Sequence, residues 1–432
     1  MSSQTNPTIL LLGTCDTKIA ELLYTKSSIE DQKVTVLLMD IGRVQSSDPN
    51  IMITQETILQ HAPSQKVDMS SLPRDEYINF LTQPAIDTVQ FLVKSGNIHG
   101  ILGIGGSCGT ALATAIMQSM PLGFPKLMVS TMASGDISPY IGSTDIAMMY
   151  SVVDIAGRNS VLDMVLRNAA GAVVGISRGY LERLQEKKEP IRSAPKVRVG
   201  ISMFGVTTPG VTKAREHLEE FFGKQGCEIY VFHATGSGGR AMERLIEEVQ
   251  LDAVLDMTTT EIADEVVGGV LSAGDKRLCA ATSKDIPRVV SVGACDMVNF
   301  GPFETVPETW RGRMLHRHNP TVTVMRTTAE ECKKIAKVIA KNLRGVGDNT
   351  EGQRSIAKTK VFLPVGGLSM LDVPGQLFWN PDADEVLFST LEKELEGSGI
   401  EVIRDERDVN DPGFAKRLAD ELCSLILTER KY

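Results

Sequence analysis

The stretch ILGIGGSCGTALATAIMQ, residues 101–118, joins an apolar run to an alanine-rich segment through a glycine-rich loop. Four glycines fall between residues 103 and 109, and the side chains among them are mostly small. A short apolar run that ends in this way predicts a buried parallel strand, and the alanine-rich segment predicts a helix. The stretch therefore predicts a strand–loop–helix unit whose backbone a ligand can approach closely.

Units of this kind recur along the chain. We predict strands at 8–13, 33–42, 98–106, 126–135, 197–205, 227–236, 251–259, 287–296, 320–328, 360–369 and 400–406, and first-half helices at 17–30, 74–96, 109–119 and 151–178. The charged segment 180–196 loses the apolar period and contains two prolines, which is typical of a linker. The alternation predicts an α/β protein with two Rossmann-like domains, each a mainly parallel sheet flanked by helices, at 1–190 and 191–432.

Composition restricts the function classes. The 432 residues are 42% hydrophobic and 23% charged with a net charge of −9, which is typical of a soluble globular protein without general attraction to nucleic acid. The N-terminus lacks the basic start of a signal peptide, and no apolar stretch reads as a bilayer span. The seven cysteines show no paired spacing, so we expect reduced thiols in a cytoplasmic protein.

The first glycine loop has the properties of an anion site. Its free backbone N–H groups would lie at a helix start, where the helix dipole favours negative charge. The candidate residues are Gly105, Gly106, Ser107, Cys108, Gly109 and Thr110. No Walker GK[ST] sequence follows, and Cys108 replaces the third glycine of a GxGxxG pattern. A glycine-rich crossover that only lets helix and sheet pack closely is the alternative.

Polar residues at other strand ends favour the anion site, because ligands of doubly wound sheets bind beyond the carboxyl ends of the strands. The candidates at these ends are Thr14, Asp16, Lys18, Asp40, Ser134 and Gly135. Lys18 could neutralise phosphate charge, and Asp40 stands where an acidic residue commonly binds a ribose hydroxyl. Together these residues predict a phosphate-bearing nucleotide.

The second half contains residues capable of acid–base chemistry on a small acidic or acyl substrate. The candidates for catalysis are His233, Glu261, Asp296, Arg311, His316 and His318. Two of these groups also have plainer interpretations. Glu261 could simply stand at a helix start, and segment 311–320 could be a solvated charged loop. His316 and His318 lack a third ligand at fixed spacing, so we predict no metal site. The chain has no HExxH or kinase motif set.

Longer phrases identify a family. GTCDTKIAE, GIGGSCGT, PKLMVSTMASG, IAMMYSVVDIAGRN, VFHATGSGGRAME, HNPTVTVMRTT and FLPVGGLSMLD resemble the ATP-binding family of the tomato mosaic virus resistance protein's N-terminal region and its bacterial and fungal relatives. The resemblance covers about residues 8–425 and implies two Rossmann-like domains, a homodimer, and ATP, with or without Mg²⁺, in the first domain. It assigns the phosphate loop to 105–110 and places Asp40 and Ile41 near the nucleotide. Cys108 departs from the family's usual glycine, and segment 68–82 matches only loosely, so Arg74 is not assigned.

Three functions remain open at this point. The first is a cytosolic nucleotide-binding protein with ATP on the glycine loop and a polar interdomain cleft. The second is a metabolic enzyme of hydrolase or lyase type acting on a small acidic or acyl substrate in the C-terminal domain. The third is a protein-interaction module that uses ATP as a structural ligand.

Overall fold

A computed structural model describes residues 6–60, 69–186, 196–223, 226–345 and 358–429. They divide into two compact units on either side of residue 192. The predicted boundary near residue 190 falls within 187–195, which lies outside the described residues.

The N-terminal domain is a parallel sheet between two layers of helices. Its strands are β1 Thr8–Gly13, β2 Thr35–Asp40, β3 Ile51–Ile53, β4 Gly100–Gly105, β5 Lys126–Ser130 and β6 Ala147–Tyr150. Its helices are α1 Cys15–Glu30, α2 Gln55–Leu59, α3 Arg74–Lys94, α4 Ser107–Gln118, α5 Ser138–Ile141 and α6 Ser160–Glu186. Among the described residues this sheet has the order β3-β2-β1-β4-β5-β6, and every pairing is parallel. The chain winds outward from β1 in one direction and from β4 in the other, so the loops after β1 and β4 meet at a topological switch point.

Burial explains the continuous apolar strands. All residues of β1 and β4 are buried because helices cover both faces of the sheet. One apolar cluster joins β1 and β4 to α3 and α4, and a second joins the same strands to α1 and α6. The strand–loop–helix unit predicted from residues 101–118 thus consists of β4, the glycine loop and α4.

Helix α6 begins later than the sequence predicts. Residues 151–159 were expected to be helical, but Gly157 adopts a left-handed φ of 92° and Asn159 caps the helix. The Asn159 side-chain oxygen accepts hydrogen bonds from the N–H groups of Val161 and Leu162. By length and composition α6 could cross a bilayer, but its residues Leu166 and Val173 pack in the core of the domain. Helix α6 therefore packs part of its surface against the apolar core of the N-terminal domain.

The C-terminal domain repeats the architecture and adds a small sheet. Its parallel sheet contains β7 Val197–Met203, β8 Cys227–His233, β9 Ala253–Thr258, β10 Arg288–Gly293, β14 Thr359–Pro364 and β15 Glu401–Asp405. Among the described residues, these strands lie in the order β15-β14-β10-β9-β7-β8. The added sheet is antiparallel and contains β11 Met297–Phe300, β13 Val322–Arg326 and β12 Leu315–Asn319. The helices are α7 Thr208–Phe222, α8 Ser237–Glu247, α9 Thr260–Val267, α10 Ala280–Ser283, α11 Ala329–Arg344, α12 Pro381–Leu395 and α13 Pro412–Glu429. The fold class predicted from the sequence is confirmed, and the predicted strand 320–328 belongs to the antiparallel sheet.

Candidate functional site

A cavity of about 300 Å³ lies at the switch point of the N-terminal domain. Its walls come from the loops after β1, β2 and β4 and from the start of α3. The lining residues are Thr14, Asp16, Thr17, Lys18, Arg43, Arg74, Tyr77, Gly106, Ser107, Cys108 and Gly109. The structure therefore brings together most of the predicted glycine loop and the polar residues after β1. Its volume is at the lower end of the range for small-molecule sites.

The glycine loop offers free backbone donors to this cavity. Gly106 precedes α4 in an extended conformation without a side-chain cap, and the first helical bond runs from the Thr110 N–H to the Gly106 carbonyl. The N–H groups of Ser107, Cys108 and Gly109 have no acceptor within the helix. No hydrogen bond among the described residues occupies them either. Such a turn is suited to a phosphate.

The glycines of the loop have different steric roles. A Cβ at Gly105 would lie 2.9 Å from the Cα of Gly109, so Gly105 is required by the close approach of strand and helix. A Cβ at Gly109 would lie 3.8 Å from its nearest neighbours, Ile104 O and Thr14 Cγ2. Among the described residues, a Cβ at Gly106 would meet only the Thr131 hydroxyl, also at 3.8 Å. The fold therefore has room for a methyl group at 106 and 109, and the space there is available to a ligand.

Thr110 does not line the cavity. It is fully buried, and its Oγ1 lies 2.6 Å from the Ser130 Oγ. It ties the start of α4 to β5. Ser134 and Gly135 are exposed at the turn after β5 and are also not part of the cavity wall.

The loop after β1 forms the opposite wall. The Thr14 carbonyl accepts the N–H groups of Thr17 and Lys18 at 3.1 and 2.9 Å. The Asp16 Oδ2 accepts the N–H groups of Arg43 and Val44 at 3.1 and 3.0 Å, which attaches the loop after β2. The Lys18 ammonium donates to the carbonyl of Ile155. These bonds fix the positions of the charged residues around the cavity.

Two arginines add positive charge. The Arg43 guanidinium donates to the carbonyls of Met69 (3.3 Å) and Ser70 (2.7 Å) and holds the segment before α3 against the cavity. Arg74 is exposed at the first position of α3. Together with Lys18, the cavity wall contains three cationic side chains and one carboxylate, that of Asp16. The net charge of the wall is therefore positive. Sequence reasoning did not assign either arginine, although Arg43 directly follows the second predicted strand.

Asp40 and Ile41 lie behind the cavity. The buried Asp40 Oδ1 accepts the N–H groups of Cys15 and Gly42 at 3.0 and 2.8 Å, so Asp40 organises the loops after β1 and β2. Burial raises the pKa of Asp40 above the ordinary carboxyl value, although these bonds oppose the shift. Ile41 is buried, and its carbonyl accepts the Tyr77 hydroxyl. Neither residue is in the cavity wall, where the resemblance implies contact with the nucleotide.

The six candidates for catalysis are distributed over separate networks in the C-terminal domain. Glu261 is buried against the glycine turn that starts α8, and Asp296 is buried with its Oδ2 accepting the Ser369 hydroxyl at 2.8 Å. His233 and His318 are exposed, and His316 lies half-buried with its ring 6.4 Å from that of Phe378. Arg311 is exposed and pairs with Glu308 at 3.0 Å. Within the described part of the chain, no hydrogen bond joins two of the six side chains.

A buried acidic cluster lies beside a second cavity of about 500 Å³. The Arg326 guanidinium, which lines that cavity, contacts the carboxylates of Asp384 at 2.6 Å and Asp372 at 3.3 Å. Burial raises the pKa of Asp372 to about 9 and that of Asp296 to about 6, since a single guanidinium offsets the charges only in part. These carboxyls therefore bind protons more tightly than carboxyls in water do.

In the comparison with protein families, two consecutive segments of the chain match two separate domains. Residues 7–182 and 196–426 match the N-terminal and C-terminal domains of "Uncharacterised protein family (UPF0261)". A UPF0261 protein of Clostridium tetani is 41% identical over 423 residues, which cover 98% of this chain and 99% of that protein. The ToMV resistance protein Tm-1(GCR237) of Solanum lycopersicum is 36% identical over 444 residues, covering 98% of this chain and 56% of that protein. UDP-N-acetylglucosamine 2-epimerase from Rickettsia bellii aligns over 66% of this chain and 79% of its own at 12% identity, with a TM-score of 0.20 that is too low to inform the site.

Proposed function

This chain belongs to the UPF0261 family, as its sequence phrases predicted, and we propose that its N-terminal domain binds a phosphate-bearing nucleotide. ATP is the ligand we expect. One observation carries the proposal. The cavity is lined both by the unoccupied N–H groups of Ser107, Cys108 and Gly109 and by three cationic side chains.

Physical chemistry favours a phosphate over a neutral ligand in this cavity. A hydrogen bond from a backbone N–H to a charged oxygen contributes about 1.5–3 kcal/mol, roughly twice as much as a bond between neutral groups. The dipole of α4 adds to this attraction at the helix start. Lys18, Arg43 and Arg74 exceed the single carboxylate of Asp16 by two charges (three minus one), which favours a ligand with more than one negative charge. Asp16 is the carboxylate of the wall that a Mg²⁺ carried by the nucleotide would meet.

Isothermal titration of the full chain separates the contributions of the phosphates and the base. ATP with and without Mg²⁺, tripolyphosphate and adenosine are titrated in turn. We expect saturable heat with ATP, weaker binding of tripolyphosphate and no detectable binding of adenosine alone. Folded protein that gives no heat with millimolar ATP would exclude the proposal.

The proposal extends to location and assembly. We place the protein in the cytoplasm, which agrees with the free thiols of its cysteines. The family resemblance implies a homodimer, for which light scattering after size-exclusion chromatography should give twice the 46.9 kDa of one chain. A mass of one chain at micromolar concentration would remove the dimer from the proposal.

A further inference from the structure

The C-terminal domain contains a second glycine turn at the start of a helix. Strand β8 ends at His233, and the sequence ATGSGG leads into α8, much as GIGGSCG leads from β4 into α4. Gly236 precedes α8 with a left-handed φ of 83°, a conformation that favours glycine. Local geometry alone would make this turn another anion site.

The second turn is already occupied by a carboxylate of the chain itself. The Glu261 Oε1 accepts the N–H groups of Gly236 at 2.7 Å and Gly239 at 3.0 Å. A Cβ at Gly239 would overlap this carboxylate, whereas a Cβ at Gly109 in the first loop would be in ordinary contact with its neighbours. The two loops thus differ in occupancy: the N–H groups of the second are bound to Glu261.

A buried arginine completes the coordination of Glu261. The Arg277 Nε donates to the Glu261 Oε2 at 2.7 Å, and neither side chain is exposed. The same guanidinium pairs with Asp256 at 2.5 Å and with Glu243 at 3.1 Å. Three donors therefore converge on the Glu261 carboxylate from the loop and from Arg277, as they would on a bound anion.

We propose that the second glycine turn is a carboxylate-binding site that Glu261 fills in the native chain. Removal of the Glu261 side chain beyond its Cβ leaves the two loop N–H groups and the Arg277 Nε directed at an empty position. The atoms removed correspond in size to acetate, and the three donors would face its two carboxylate oxygens. This inference does not depend on nucleotide binding in the other domain.

Anion rescue of Glu261→Ala tests the site. The full-length variant is unfolded thermally, with far-ultraviolet circular dichroism as the readout, in increasing sodium acetate or in sodium chloride of equal ionic strength. We expect acetate to raise the Tm of Glu261→Ala in a saturable way by about 5 °C more than it raises that of the wild type. If the variant is unfolded in chloride, the same proposal predicts that acetate restores the folded spectrum.

Glu261→Gln is the matched control, because its amide fills the same volume without the charge. We expect no greater response to acetate in Glu261→Gln than in the wild type. An equal response of Glu261→Ala to acetate and chloride would overturn the proposal. A Glu261→Ala variant as stable as the wild type in chloride would overturn it as well, since the donors would then not need a carboxylate.

Discussion

Substituting Gly109 by alanine should separate ligand binding from folding. In the structure a Cβ at Gly109 has its nearest neighbours at 3.8 Å, so the methyl group causes no clash with the fold. Gly109 is the third residue of α4, and alanine is favoured over glycine by up to about 1 kcal/mol in a helix. We therefore expect an unfolding free energy equal to or slightly above that of the wild type, with a Tm up to about 2–4 °C higher.

The same methyl group occupies space beside Thr14, another residue of the cavity wall. It would hold a phosphate away from the N–H groups of the loop. Loss of one charge-assisted bond, about 1.5–3 kcal/mol, corresponds to about ten- to hundredfold weaker ATP binding. Titration calorimetry measures this loss, and thermal unfolding of the same samples measures stability.

Two further alanine variants serve as controls. Gly171 lies in α6, and among the described residues no atom outside the helix backbone comes within 4 Å of a Cβ placed there. Gly171→Ala should therefore add helix propensity without changing ATP affinity. Gly105→Ala should instead destabilise the fold, because its Cβ would lie 2.9 Å from the Gly109 backbone. If Gly109→Ala binds ATP as tightly as the wild type does, phosphate does not approach the loop and the reasoning is refuted.

Three other predictions test the charges and thiols. Arg74→Ala should weaken ATP binding about three- to tenfold without changing the Tm, as measured by calorimetry; an unchanged affinity would remove Arg74 from the site. Saturating ATP should slow alkylation of the half-buried Cys108 but not that of the half-buried Cys279, as followed by peptide mass spectrometry. Burial raises the pKa of Asp372 to about 9 in the folded state, whereas an Asp carboxyl in the unfolded chain has a pKa near 4. Between these pH values the folded state binds one more proton than the unfolded state does. The free energy of unfolding therefore falls as the pH rises toward 9. Between pH 5 and 9 the unfolding free energy of Asp372→Asn should therefore fall less steeply with pH than that of the wild type, by up to about 1.4 kcal/mol per pH unit. Urea titrations at several pH values measure this dependence. If the unfolding free energies of variant and wild type change equally with pH, the assignment is contradicted.

The parallel sheets were predictable because their strands are continuous apolar runs. TILLLG in β1 and GILGIG in β4 are buried on both faces and end in small residues, which is a local signal. The antiparallel sheet was not, since LHRHN in β12 is mostly exposed and reads as a charged loop. The strand β13 was predicted, but its direction depends on pairing with β11 and β12, which sequence periodicity does not encode.

The site was predictable where the signal is local and less so where it depends on distant contacts. The glycine loop and Thr14, Asp16 and Lys18 follow strand ends directly, and the cavity contains most of them. Asp40 also ends a strand, but only the structure shows that its carboxylate is already bound to the N–H groups of Cys15 and Gly42.

A crystal structure of the full chain grown with ATP tests the central claim most directly. We expect phosphate oxygens at 2.7–3.2 Å from the backbone nitrogens of Ser107, Cys108 or Gly109, the usual range for an N–H donor. Density for the nucleotide elsewhere on the protein, with this cavity free of phosphate at saturating ATP, would contradict the account.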